Sequence, residues 1–186
     1  LHDQEGRVTV PCFYDAVRPP EQWEREELAK LPITEEDYAK FLGVSKFFPP
    51  PGYSSLEGIR FCPTLEFNGV GGGYQGEGSK TVIPAEAFAK ITCRLVPDQK
   101  SEDIANKVRQ AIEEACPSAV RVEVQLKGGG DPYVVIPPGK PGSSGQESEL
   151  MKKAFSVAED CIESGFGTRP IFLREGGSIP IIQDLK

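Results

Sequence analysis

The clearest pattern along the chain is the strict alternation over 120–126. Val120, Val122, Val124 and Leu126 share one side, and Arg121, Glu123 and Gln125 the other. A period of two is the mark of a strand with one buried face. Residues 87–96 repeat it, with Ala87, Ala89, Ile91, Cys93 and Leu95 set against Lys90, Thr92 and Arg94. Leu65 and Phe67 alternate in the same way with Glu66 and Asn68. Between the last two strands the period changes. Ser101 opens a helix with Glu102 and Asp103 in its first turn, Ile104, Val108, Ile112 and Ala115 form the apolar stripe, and Pro117 stops it. A second amphipathic helix is expected over 147–163, ahead of Gly165, and Pro170 to Leu173 read as a short buried strand. One-faced strands in the order strand, strand, helix, strand predict an α+β fold, an antiparallel sheet with helices packed on one face.

The first sixty residues are less regular. Residues 7–15 alternate briefly before Pro19 and Pro20, and a short helix is expected from Glu21 to Lys30. Thr34 is a good N-cap with Asp37 three residues on, Ile33 and Tyr38 stand at staple positions, and Gly43 ends the turn. This acidic stretch, about 20–45, carries no catalytic pattern and reads as a solvated surface elaboration. Gly and Pro cluster at 49–52, 69–78, 128–132 and 137–145, which marks loops, and a domain boundary is expected at about 135–145.

Composition narrows the function. The 186 residues hold 21 Lys and Arg against 28 Asp and Glu, a formal net charge of −7, so the clustered cations of a nucleic-acid surface are not expected. No apolar run approaches the roughly 18 residues that span a bilayer, and no membrane partner is expected. The five cysteines, at 12, 62, 93, 116 and 161, form no CxxC pair. They read as reduced, mostly buried thiols of a cytoplasmic protein rather than a disulfide scaffold or thiolate metal site. The chain opens on Leu1, has His2 as its only histidine, and is expected to be a piece of something larger.

Few residues offer chemistry. The glycine-rich stretch 69–80 lacks the Lys that a phosphate loop places directly after its last Gly, since Ser79 separates Gly78 from Lys80. With His2 alone at the start, no His-Ser or His-Cys pair is available. Two segments remain. Thr81, in Lys80-Thr81-Val82-Ile83-Pro84, and Arg94, in Arg94-Leu95-Val96-Pro97-Asp98, occupy neighbouring loop and strand positions and can hold a carboxylate. Spacing equally allows an exposed Arg94 paired with a sheet neighbour. Gly176-Gly177-Ser178 offers open backbone N–H groups and a hydroxyl, as an anion cradle or as an ordinary tight turn.

The segments 78–84 (Gly-Ser-Lys-Thr-Val-Ile-Pro), 94–98 (Arg-Leu-Val-Pro-Asp) and 174–180 (Arg-Glu-Gly-Gly-Ser-Ile-Pro) closely resemble, in order, those of the carnosinase-like dipeptidases. These belong to the di-zinc metallopeptidases that also include carboxypeptidase G and acetylornithine deacetylase. The likeness runs from about 61 to 182. It implies a ferredoxin-like lid domain that makes the homodimer: a four-stranded antiparallel sheet with two helices on one face. Residues 1–135 would be that lid without its first strand and helix, 136–145 a linker, and 146–186 a helix-strand segment of the α/β catalytic domain. Arg94 matches the lid arginine that binds the substrate carboxylate. Thr81 matches a position reaching across the dimer towards the partner's site, and Gly177 and Ser178 match the loop holding the substrate's C-terminal end. The two zinc ions, their ligands and the general base would lie outside this chain, so the fragment alone is expected to be inactive. The loop 126–133 reads Leu-Lys-Gly-Gly-Gly-Asp-Pro-Tyr, where some of these dipeptidases carry a histidine. The parent is expected to hydrolyse dipeptides in the cytoplasm. An N-acyl amino-acid deacetylase or desuccinylase of the same family stays open as an alternative, as does a non-catalytic α+β dimerisation or binding module.

Overall fold

The computed structural model describes residues 1–143, 145 and 148–175. In chain order the elements are α1 (Gln22–Leu28), α2 (Glu35–Leu42), α3 (Ser55–Phe61), β1 (Thr64–Gly72), β2 (Ala87–Arg94), α4 (Ser101–Ala115) and α5 (Glu149–Phe166). β1 and β2 form an antiparallel pair running from Thr64 opposite Arg94 to Gly72 opposite Ala87, with a bulge at Asn68. The α+β class read from the sequence holds.

The core gathers where two patterned elements meet the chain's start. Val8, Val10 and Phe13 pack with Leu65 of β1 and with Ile104 and Val108 of α4, and Ile91, Cys93 and Leu95 lie half-buried against them. Leu65 is fully buried and Phe13 nearly so. Each such side chain contributes about 1.5–3 kcal/mol by leaving water. Gln99 ties this core together, its Nε2 donating to the Phe13 carbonyl at 2.9 Å and its Oε1 accepting from Val96 N–H at 3.0 Å. The face of β2 predicted to be buried is buried only towards Arg94; Ala87 and Ala89 are exposed. The far half of the hairpin therefore stands clear of the core.

Local signals hold for several helices. Thr34 Oγ1 accepts from Asp37 N–H at 3.1 Å, Asp37 Oδ2 accepts from Thr34 N–H at 3.2 Å, and Gly43 closes α2 with φ 70°. Ser148 caps α5, which runs past the expected end at 163 to Phe166 and is closed by Gly167 (φ 73°). α3 was not anticipated, although Ser54-Ser55-Leu56-Glu57 spells a capping box and Phe61 at its end is buried.

Four expectations are corrected. Residues 120–126 form no ladder, and Val120 and Leu126 are exposed. Alternation says which side chains share a face but supplies no neighbour, and among the described residues β2 pairs only with β1. Residues 170–173 are half-buried and unpaired rather than a buried strand. The glycines 69, 71 and 72 lie inside β1 rather than in a loop. A Cβ at Gly71 would come within 2.6 Å of the exposed Phe88 ring on the facing strand, so a larger residue there would push that ring aside. Of the cysteines only Cys62 is buried; Cys93 and Cys116 are half-buried, and Cys12 and Cys161 exposed, all five free.

Candidate functional site

An open cleft of about 1650 Å³ separates β2 and α4 from residues 121–137, and Leu173, Arg174 and Glu175 close part of its wall. That volume exceeds the roughly 300–1,000 Å³ of a small-molecule pocket, so the feature is a groove between segments. Arg94, the last residue of β2, lines it. Its side chain is exposed and has no ion-pair partner among the described residues. An extended strand end thus presents a free planar fork to the groove, where a carboxylate would be taken bidentately.

Thr81 lies elsewhere. It is exposed in the connection between β1 and β2, beyond the Gly72–Ala87 end of the hairpin, where Val82 N–H donates to the Lys80 carbonyl at 3.1 Å. The Lys80 ammonium sits 4.8 Å from the Tyr74 ring centre, holding one side of this connection. Arg94 ends the other end of the same strand. The seven steps from Ala87 to Arg94, at about 3.3 Å each, put roughly 23 Å between the ends of β2. Thr81 thus belongs to the connection at the Ala87 end of β2, and Arg94 closes the opposite end of that strand. Gly177 and Ser178 lie outside the described residues.

The remaining groove chemistry is quiet. Burial, with Glu57 nearby, pushes the Cys62 thiol up to about 11, and burial also raises Cys93. Both thiols stay protonated at neutral pH and are not nucleophiles. The 126–133 loop does structural work. Asp131 Oδ1 accepts from Ser101 N–H at 2.8 Å and Lys100 Nζ donates to Oδ2 at 2.9 Å, so Asp131 caps α4 from a distance. The Ser101 N–H, followed by the Lys100 ammonium, holds the Asp131 carboxyl below its ordinary value. Among the described residues no three His, Cys, Asp or Glu side chains converge on a metal position, so these residues do not fit a catalytic zinc centre.

The acidic stretch 20–45 divides in two. α2 buries nothing, as a solvated elaboration should. α1 differs: Glu24 and Glu27 are buried, and both carry ion pairs to segments far along the chain. A surface reading of α1 is therefore wrong. Nothing in its charge pattern marked it, because a carboxylate buried against a distant arginine reads like a solvated one.

Residues 19–120 match the family described as the peptidase dimerisation domain. The chain belongs to this family. As a peptidase dimerisation domain it is 26% identical over 97% of its length to the human Beta-Ala-His dipeptidase, covering 34% of that protein. It is 33% identical to the Cys-Gly metallodipeptidase DUG1 of Saccharomyces cerevisiae, over 97% of the chain and 36% of the relative. The solved M20 family metallo-carboxypeptidase Sso-CP2 from Sulfolobus solfataricus superposes with a TM-score of 0.74 at 27% identity, over 97% of this chain and 38% of that one. The chain thus spans about a third of the length of the relatives it matches. The resemblance read from the three short motifs is met by the family itself. No described helix is long and apolar enough to cross a membrane.

Proposed function

We propose that this peptidase dimerisation domain is the lid and dimer-forming part of a zinc-dependent dipeptidase, a homodimer of the cytoplasm. Residues 1–135 form the lid, 136–145 a linker and 146–186 a return into the catalytic domain. The observation that carries the reading is the alignment of 97% of the chain with a Beta-Ala-His dipeptidase and a Cys-Gly metallodipeptidase. The geometry supports the division of labour within it. Arg94 offers an unpaired guanidinium to the groove and binds the substrate's free carboxylate, orienting the peptide for hydrolysis. Thr81, in the connection at the opposite end of β2, serves the partner's site. Gly177 and Ser178 hold the substrate's C-terminal end. The two zinc ions belong to residues outside this chain.

The test is dipeptide hydrolysis by the full-length parent, with chelator and after zinc is restored. Activity that chelator abolishes and zinc recovers is the expected result. Arg94→Ala should raise KM and lower kcat/KM by roughly 10- to 150-fold, the worth of a charge-assisted hydrogen bond of about 1.5–3 kcal/mol. An unchanged kcat/KM removes Arg94 from the site. A parent that cleaves N-acyl amino acids and no dipeptide moves the reading to the deacetylases. A parent that binds no metal moves it to a non-catalytic binding module.

A further inference from the structure

α1 is the element whose surroundings depart furthest from its sequence. Glu24 and Glu27 stand one turn apart and are 5% and 6% exposed. The Glu27 carboxylate joins two distant stretches of chain at once. Lys140 Nζ donates to its Oε1 at 3.3 Å, and Phe172 N–H donates to its Oε2 at 3.3 Å. Glu24 and Trp23 reinforce the two attachments. Glu24 takes the Arg174 fork, Nε to Oε1 at 2.6 Å and Nη2 to Oε2 at 2.7 Å. Trp23 Nε1 donates to the Pro141 carbonyl at 3.2 Å, and the Lys140 ammonium lies 5.3 Å from the Trp23 ring centre. A seven-residue helix thus holds the chain at 140–141 and again at 172–174.

α5 lies in the chain between those two attachments, and among the described residues it buries no side chain. It is tied to its own return. Arg169 pairs with Glu159 and Glu163, and the Phe155 ring centre lies 6.0 Å from that of Phe172. The stretch is therefore held to itself and, at both ends, to α1. α1 falls inside the residues that match the dimerisation family, 19–120, whereas both attachments fall beyond them. A helix of seven residues is too short to persist without tertiary partners. Weakening one attachment therefore frays the helix that makes the other. The fork to Glu24 sharpens this dependence, because two parallel bonds admit one orientation and a buried carboxylate that loses them is costly.

We propose that α1 is a latch: Glu24 and Glu27 hold both ends of the α5 stretch together, so that releasing one end releases the other. The linker at 136–145 is then no free hinge, because the dimerisation domain holds the chain within it at Lys140 and again beyond it at Arg174. On the division into lid and catalytic domain proposed above, the latch fixes one on the other, and that consequence rests on the division. The latch itself rests on the contacts of α1 alone.

The experiment follows amide hydrogen exchange in the full-length parent. One reporter is 136–143, where Lys140 N–H and Ser143 N–H are hydrogen-bonded, and the other is 168–175, which holds Phe172 N–H. The core stretches 64–70 and 104–113 serve as the control. Arg174→Lys keeps the charge and loses the fork, and Trp23→Phe removes one donor at the other end. In Arg174→Lys, exchange should quicken about tenfold over 168–175 and by a similar factor over 136–143, where no group has changed. The core should exchange as in wild type. Coupling between two ends is reciprocal, so Trp23→Phe should quicken 168–175 about threefold, the smaller worth of a neutral hydrogen bond. Exchange that quickens only at the end substituted means two independent attachments and overturns the latch. Exchange that quickens equally in the core means general loss of stability and overturns it too, as does exchange equal to wild type throughout. Should Arg174→Lys not fold, Trp23→Phe decides alone. Exchange is read without substrate, so the latch and the hydrolytic function stand or fall separately.

Discussion

Two regions hold this chain together by opposite means. Around Leu65, the chain's start, β1 and α4 bring Val8, Val10, Phe13, Ile104 and Val108 into one apolar cluster. Around α1, the buried groups are charged: Glu24 with Arg174, and Glu27 with Lys30 and Lys140. The first region gains from every methylene removed from water and is indifferent to direction. The second must offset the cost of taking ions out of water with hydrogen bonds of the right geometry, and what it gains is orientation. The apolar cluster joins side chains that the pattern of their own segments already marked as apolar faces, whereas the ionic one joins segments about 150 residues apart.

The comparison can be broken most sharply at Arg174. Arg174→Ala leaves Glu24 buried and unpaired and should cost about 3–5 kcal/mol, read as a shift of the urea midpoint. Replacing both partners, Glu24→Leu with Arg174→Met, should return most of that loss, because two apolar groups carry no desolvation penalty. A double variant as unstable as the single one would show that the region depends on charge for stability after all. Leu65→Ala should cost about 2–5 kcal/mol, and no second apolar substitution opposite it is expected to return that loss by removing charge. Acid separates the two regions more gently. Burial pushes the Glu27 carboxyl up, but hydrogen bonds from Lys30, Phe172 N–H and Lys140 outweigh it, and the net value falls below the ordinary 4.5. A lowered folded value adds stability above the ordinary one and loses it as pH falls through the folded one. Stability should therefore decline below about pH 4.5, and Glu27→Gln should flatten that decline. Smallest of all, Lys140→Met removes a partly exposed donor from Glu27 and should cost under about 1 kcal/mol.

The same contrast explains what the sequence could convey. Leu65, Ile91, Ile104 and Val108 were legible because burial on one face leaves a period of two or 3.6 in the residues themselves. The caps of α2 were legible because Thr34, Asp37 and Gly43 act within a few residues of one another. α3 carried an equally local signal at Ser54 and Glu57. Residues 120–126 carried the strongest alternation of all, yet a strand also needs a neighbour, and no pattern within a segment says whether one is there. Glu24 could not be found at all by such means. Its partner is distant, and charge alone does not distinguish a solvated helix face from a gripped one. Arg94 and Thr81 stood close in sequence and in motif, but only the register of β1 on β2 put them at opposite ends of a hairpin.

That last separation has a genetic consequence. On the function proposed above, each reaction centre takes Arg94 from one chain and Thr81 from the other. A homodimer lacking either residue then has two crippled centres, whereas a mixed dimer of the two variants has one centre with both intact and one with neither. With random pairing half the dimers are mixed, so two defective alleles would complement each other to about a quarter of the normal number of working sites, and a single allele carrying both lesions would complement neither.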